Sequence, residues 1–174
     1  MPGAPIGSTF AEAWLDSTED VVAAVAASVV KLGIEHKRAV GYIGAAGGRQ
    51  VLNADIGDRQ YHRVLTELAL AQPAGGEVIA NVIIAEVRRF LDRNRTPVVV
   101  TASTDPGWID ALHGMTERGV RPIAVFVDPA TFDPSRDSSA IHQRIREMAF
   151  PIYVVDFNAG ISEGFSLSEP CRVR

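Results

Sequence analysis

The chain has little of what several common classes of protein require. Its 174 residues include one cysteine, Cys171, so neither an internal disulfide nor a cysteine-based zinc site is expected. No apolar run approaches the roughly 18 residues of a membrane span, and the N-terminus lacks the pattern of a signal peptide. The net charge of −4 gives nucleic acid no basic face to bind. These absences predict a cytoplasmic protein that binds neither membranes nor nucleic acid.

Patterns that carry catalysis or bind metals are also missing. The chain has four scattered histidines, for which we expect solvated or rim positions: His36, His62, His113 and His142. No serine lies in a G-x-S-x-G elbow, and Cys171 has no histidine nearby in the sequence. The glycines from Gly44 to Gly48 lack dinucleotide-binding spacing and a P-loop lysine, so they predict a tight hairpin turn. We therefore expect a non-catalytic protein without a cofactor.

What the sequence does contain is a regular succession of helical and strand patterns. Oxygen-bearing side chains from Asp16 to Asp20 suit a helix N-terminus, and Gly33 suits a left-handed C-cap, which together predict a helix over 18–32. Later segments are predicted from apolar spacing as helices at 58–72, 77–93, 106–118 and 138–148, and as strands at 38–44, 50–56, 97–101, 122–128 and 151–156.

The later strands are continuous apolar runs, which are typical of strands that helices cover on both faces. Their spacing indicates parallel strands joined by helical crossovers. We predict an α/β fold in three layers, with a mostly parallel sheet between helices. A single domain over residues 16–158 would then follow an N-terminal segment, 1–15, and precede a C-terminal tail, 159–174.

Several segments, taken in order and spacing, resemble a known family. They are Asp16 to Asp20, Ala26 to Val29, Asp58 to Pro73, Val98 to Trp108, Arg118 to Phe132 and Phe150 to Val155. Together they are similar to the C-terminal half of the bacterial domain-of-unknown-function 58 family. The resemblance implies a von Willebrand factor A-like (Rossmannoid) fold. Family members are often encoded beside MoxR-type AAA+ ATPases. The resemblance therefore also implies that this chain acts with such an ATPase in the assembly of other proteins.

The sequence departs from that family where the family holds a divalent cation. The strand and Asp-x-Ser-x-Ser loop expected before Asp16 are largely absent, and Glu77 follows two glycines where the family tends to have threonine. Only the loop from Thr101 to Asp105 keeps its oxygens. We therefore expect no bound metal, with a degenerate magnesium site of Asp16, Thr18 and Asp105 as the alternative.

The absent first strand also leaves a gap in the expected sheet. In the strand order 3-2-1-4-5-6 the first strand is central, and its loss opens roughly 9 to 10 Å between its neighbours. Unpaired backbone inside a core is costly. We predict one of three repairs: segment 8–15 forms a substitute strand, the strand at 38–44 pairs directly with 97–101, or a second copy of the chain completes the sheet as a homo-oligomer.

The expected partner-binding residues lie at or beyond the C-terminal ends of strands, where open α/β sheets bind ligands. They are Thr101, Ser103, Asp105, Trp108 and Phe132. Trp108 is expected to be partly exposed as an aromatic anchor, although packing beneath the loop is an equal alternative. The leading hypothesis is an interaction domain that binds an ATPase or its own copies. The alternatives are a cation-dependent binding domain and a fragment of a longer protein to which the activity belongs.

Overall fold

The structure is a computed structural model that describes residues 17–45, 48–71, 78–90 and 95–156, with the side chains of 87–90 excepted. The N-terminal segment 1–15 and the tail 159–174 lie outside the described residues. In chain order the elements are α1 (Thr18–Glu35), β1 (Val40–Gly44), β2 (Gln50–Asp55), α2 (Asp58–Leu70), α3 (Ile79–Phe90), β3 (Val98–Thr101), α4 (Gly107–Thr116), β4 (Ile123–Val127), a 3-10 turn (Pro129–Thr131), α5 (Ser139–Arg146) and β5 (Ile152–Val155).

The C-terminal half is a parallel sheet with helices on both faces. Its three strands run in the order β3-β4-β5, and both pairs are parallel. On one face, Val21 and Val25 of α1 pack against Val125 and Val127 of β4. The other face of β4 packs against α4, α5 and α3 through a larger cluster that includes Trp108, Leu112, Phe126, Ile141 and Ile83. The prediction of an α/β fold with a parallel sheet between helices is confirmed for this half.

The strands β1 and β2 form a separate antiparallel hairpin, as the turn glycines predicted. Within the described residues β1 pairs with β2 alone and β3 pairs with β4 alone. The five described strands therefore form two sheets, and not the single sheet of strand order 3-2-1-4-5-6 that the resemblance implies. Direct pairing between 38–44 and 97–101, one of the three predicted repairs, is wrong as well, because β1 and β3 lie in different sheets.

A buried glutamine fixes the hairpin to α2. The ladder contains a register shift between Val40 and Tyr42, which frees backbone carbonyls that a regular ladder would use. The amide Nε2 of Gln60 donates to the carbonyl oxygens of Val40 at 2.8 Å and Asn53 at 2.9 Å. Its two donors therefore satisfy one carbonyl on each strand. Gln60 is 1% exposed, so water does not compete for these bonds.

The first helix continues past the residue predicted to end it. Gly33 is not the C-cap: α1 runs to Glu35, His36 caps it, and Lys37 takes the left-handed conformation at φ 55°. The glycine is required instead by close packing, because a Cβ at position 33 would lie 2.7 Å from Cγ2 of Val40. The sequence indicated that Gly33 has a special role, but that role is close packing against Val40 and not capping of the helix.

Replacing Gly33 with alanine should therefore destabilise the protein, although alanine favours helices by about 1 kcal/mol. The added methyl group must push aside the stiff Val40 side chain, and such overpacking costs about 1–3 kcal/mol. Gly114→Ala is the matched control, because a Cβ at position 114 of α4 would make only an ordinary contact, 3.8 Å from Nη1 of Arg118, and should gain stability. Urea unfolding of both variants measures the difference. A double variant Gly33→Ala/Val40→Ala should recover part of the loss, and a stabilised Gly33→Ala would contradict the packing role.

Substituting Gln60 tests the link between the hairpin and α2. Gln60→Leu should lower the free energy of unfolding by about 1–3 kcal/mol for each carbonyl left without a donor. Gln60→Glu keeps the shape but turns a carboxylate oxygen toward the two carbonyls, so we expect it to cost more than leucine at neutral pH. Thermal and urea unfolding give the ranking. A Gln60→Leu variant as stable as the unaltered chain would show that the donors of Gln60 do not hold the hairpin.

Candidate functional site

A large cleft lies between the hairpin and the parallel sheet. Its volume is about 1690 Å³, and its walls come from α1, β1, α3 and the edge strand β3. Helices contribute much of its apolar lining: Val22, Ala26 and Val29 from α1, and Ile79, Val82 and Ile83 from α3. Small-molecule pockets measure about 300–1,000 Å³. The dimensions therefore suit a stretch of polypeptide better than a small ligand.

One wall of this cleft is the unpaired side of β3. The carbonyl of Pro97 accepts a hydrogen bond from Ile123 N at 2.9 Å, which fixes the pattern in which alternate residues of β3 pair with β4. The backbone groups of Val98 and Val100 therefore point away from β4. No strand in the described part of the chain pairs with them, and both residues line the cleft. This edge can accept a further strand.

The loop after β3 is held by its own side chains. Oγ1 of Thr101 accepts from Ser103 N at 3.1 Å, and Oγ of Ser103 accepts from Asp105 N at 3.3 Å. Oδ1 of Asp105 then accepts from Gly107 N at 2.9 Å, at the start of α4. These successive Asx- and Ser/Thr-type turns preorganise the loop.

The structure brings several predicted site residues together. Thr18, Thr101, Ser103 and Asp105 all line the same cleft. The proposed metal ligand Asp16 lies outside the described residues. Ser17 caps α1 as predicted, its Oγ accepting from Asp20 N at 3.1 Å. Within the described ranges, no three His, Cys, Asp or Glu side chains are grouped closely enough to hold a metal ion.

Trp108 lies in the core and not on the rim. Its exposure is 0%, so the expectation of a partly exposed aromatic anchor is wrong. The indole Nε1 donates to Ser103 O at 3.1 Å, and the ring stacks on Phe126 with centroids 6.2 Å apart. The physical reason is the combined gain of burying a large ring and satisfying its one donor. Trp108 supports the loop from below, which was the alternative interpretation.

Phe132, the fifth predicted binding residue, does not line the cleft. It is partly buried and packs against the cluster beneath α1 that contains Val127 and Val155. Its position follows from the 3-10 turn after β4, where Oδ1 of Asp128 accepts from Ala130 N at 3.0 Å. The role of Phe132 in partner binding stays a prediction.

A pair of polar side chains that sequence reasoning missed lies beyond β4. Oδ2 of Asp128 is 2.6 Å from Nε2 of His142, and the imidazole contacts Phe126 edge-on. Asp128 is 6% exposed, whereas the His142 side chain is 37% exposed. Asp128 at a strand end was the available signal, since carboxylates there often meet a side chain of the following helix. His142 lies at the rim, as expected for the four histidines, but its contact with Asp128 was not predicted.

Hydrogen bonding sets the charge state of Asp128. Burial acts to raise the pKa of its carboxyl, but the neighbouring Ser138 hydroxyl, the His142 imidazole and the Ala130 N–H together outweigh burial and lower it. Ser138 approaches the carboxylate without reaching regular hydrogen-bond geometry. The pair therefore ties the turn after β4 to α5 with an ionised carboxylate.

Comparisons with protein-family models, with curated proteins and with solved structures each found no match. The described helices also include none that is both long enough and apolar enough to cross a membrane. The arguments for function therefore depend on the sequence and geometry of this chain.

The Asp128 pair predicts a pH-dependent contribution to stability. A folded-state pKa below the unfolded value, about 3.9, means that the ionised carboxylate stabilises the fold above that pH. Its contribution is lost as the pH falls through the folded-state pKa. Asp128→Asn should therefore be less stable than the unaltered chain at pH 7, and the difference should shrink below about pH 4. Urea unfolding at several pH values measures it, and a pH-independent difference would contradict the assignment.

Proposed function

We propose that this chain is a non-catalytic protein-interaction domain whose cleft accepts an extended segment of a partner protein. The observation that carries the proposal is the cleft itself, with its apolar lining and the open edge of β3. Strand addition at such an edge supplies main-chain hydrogen bonds, while the flanking apolar walls select side chains. The loop from Thr101 to Asp105 would contact the same segment at the cleft's end.

The partner that we propose first is a MoxR-type AAA+ ATPase, acting in protein assembly in the bacterial cytoplasm. Its support is the resemblance in sequence described above. The order of elements and the two helical layers around a parallel sheet are compatible with a von Willebrand factor A-like domain, which we propose as the fold family. A second copy of the chain is the other partner that this hypothesis admits.

A cation-dependent version is the second candidate. It is favoured by one observation, that Thr18, Thr101 and Asp105 line one cleft. Both oxygens also accept a backbone hydrogen bond, Thr101 Oγ1 from Ser103 N and Asp105 Oδ1 from Gly107 N. The leading proposal requires no cation at them, and the same experiment can test both versions.

Calorimetric titration of the chain with the purified ATPase, with and without magnesium, tests the function. Val98→Pro should weaken binding at least tenfold, because proline removes an outward N–H from β3 and edge strands tolerate it. Val98→Thr is the matched control, since it keeps the N–H and the branched shape. Val98 is 38% exposed, which limits the effect of either change on the core.

Three results would contradict the proposal. Absence of binding by the unaltered chain would exclude this ATPase as the partner. Equal binding by Val98→Pro and the unaltered chain would exclude strand addition at β3. Binding that requires magnesium would favour the cation-dependent version. Circular dichroism of both variants confirms that they are folded before titration.

A further inference from the structure

Two strand edges border the cleft. β3 presents the outward backbone groups of Val98 and Val100 on one side, and all residues of β1, Val40–Gly44, line the opposite side. Within the described ranges β1 pairs with β2 alone, so its other edge is as open as that of β3. A strand has hydrogen-bonding groups along both of its sides. One extended segment in the cleft can therefore pair with both edges.

Helices cover both faces of such a segment. α1 packs on one face of β4 and α3 packs on the other. Both helices line the cleft with apolar side chains, such as Val22 and Ala26 from α1 and Val82 and Ile83 from α3. Strands between two helical layers are continuous apolar runs. The middle of the segment must therefore be apolar at successive residues, because a charged side chain there would be buried without a partner.

The volume of the cleft sets the length of the segment. A strand between packed layers fills about 4.8 Å by 10 Å by 3.3 Å per residue, which is roughly 160 Å³. The cleft of about 1690 Å³ therefore holds roughly ten residues. β1 has five residues and β3 has four, so the middle of the segment pairs with them while its two ends extend beyond them.

Acidic side chains mark one end of the cleft. Glu19 and Asp20 line it from the first turn of α1. The N-terminal half of this helix packs in one cluster with Val100 and Ala102, at the C-terminal end of β3. Asp105 follows the same strand and lines the cleft as well. Three carboxylates therefore lie toward the end at which β3 stops.

Basic side chains mark the opposite end. Arg38 follows α1, whose 18 residues span about 27 Å, and Arg95 precedes β3; both line the cleft. Glu86 of α3 lines the cleft too, but it forms an ion pair with Arg49 at 3.3 Å. At the acidic end, the loop after β4 contributes Arg136, which the three carboxylates outnumber. A segment with one basic and one acidic end complements this distribution of charge.

We propose that the cleft takes a segment of another protein that pairs with β1 and β3 at once. Binding joins the two sheets into one, in the order β2-β1-segment-β3-β4-β5. The segment has an apolar middle as long as β1, an acidic residue at the end near Arg38 and Arg95, and a basic residue at the end near Asp105. This inference rests on the proposed function in treating the cleft as a site for polypeptide, and it names the class of segment bound there.

Calorimetric titration of the full chain with a synthetic peptide tests the double pairing. The peptide is Glu-Glu-Ser-Val-Ala-Val-Ala-Val-Lys-Lys, and a second peptide has the glutamates and lysines exchanged so that both strand directions are covered. Successive residues of a strand point their N–H groups to opposite sides. N-methylation of the two alanines therefore removes donors on one side, and N-methylation of two valines removes donors on the other.

We expect one of the two unmodified peptides to bind, and each of its methylated forms to bind at least tenfold more weakly, because each loses hydrogen bonds to one flanking strand. Unchanged binding by either methylated form would overturn the double pairing, while one-sided addition to β3, and with it the proposed function, would stand. Absence of binding by both unmodified peptides would overturn the inference. The titration with the ATPase judges the proposed function separately.

The variant Arg38→Glu tests the charge of the segment's ends. It should weaken binding of the unmodified peptide at least threefold at low salt, because it places a carboxylate beside the acidic end of the segment. Arg121→Glu is the matched control, since Arg121 is exposed, lies outside the cleft and gives the same change in net charge. Equal binding by the two variants would overturn the assignment of the charged ends.

Discussion

Helix α1 packs against two sheets that share no described hydrogen bond, and the geometry of the rest of the protein follows from this arrangement. Its valines cover one face of β4, and its C-terminal part approaches the hairpin so closely that position 33 has no room for a side chain. The distance between hairpin and parallel sheet is thus set by helix packing and not by a continuous ladder. The cleft exists because one helix supports both walls without closing the space between them.

The sequence predicted the type and approximate bounds of every described α-helix and β-strand, because apolar periodicity and turn residues act locally. It could not predict how the strands divide between two sheets. Strand pairing depends on contacts between separate segments, such as those of Gln60 with Val40 and Asn53. Gly33 is an example: the sequence shows a glycine at this position, but only the close approach of Val40 shows why a side chain is excluded there. The end of α1 was misplaced for the same reason.

At the site, Thr101, Ser103 and Asp105 of the predicted binding set and Thr18 of the alternative metal site line one cleft, because strand ends and helix starts meet at one edge of a parallel sheet. Their roles stay predictions. The exposure of Trp108 was predicted wrongly, because the sequence does not show whether a residue at the start of a helix faces the core or the solvent. Sequence reasoning missed the pair of Asp128 and His142, whose 14-residue separation has no recognisable spacing. Contacts between side chains of successive elements were the information that the sequence lacked.

The amide of Gln60 has a consequence for the order of folding. The carbonyls it satisfies belong to both strands of the hairpin, yet the residue itself comes after them in the chain, on α2. The register shift in the hairpin therefore becomes favourable only once that helix has docked. A two-stranded hairpin alone is marginally stable in water. The hairpin should consequently acquire its final register late, after the folding transition state. Mutations in the hairpin should then change the unfolding rate more than the folding rate.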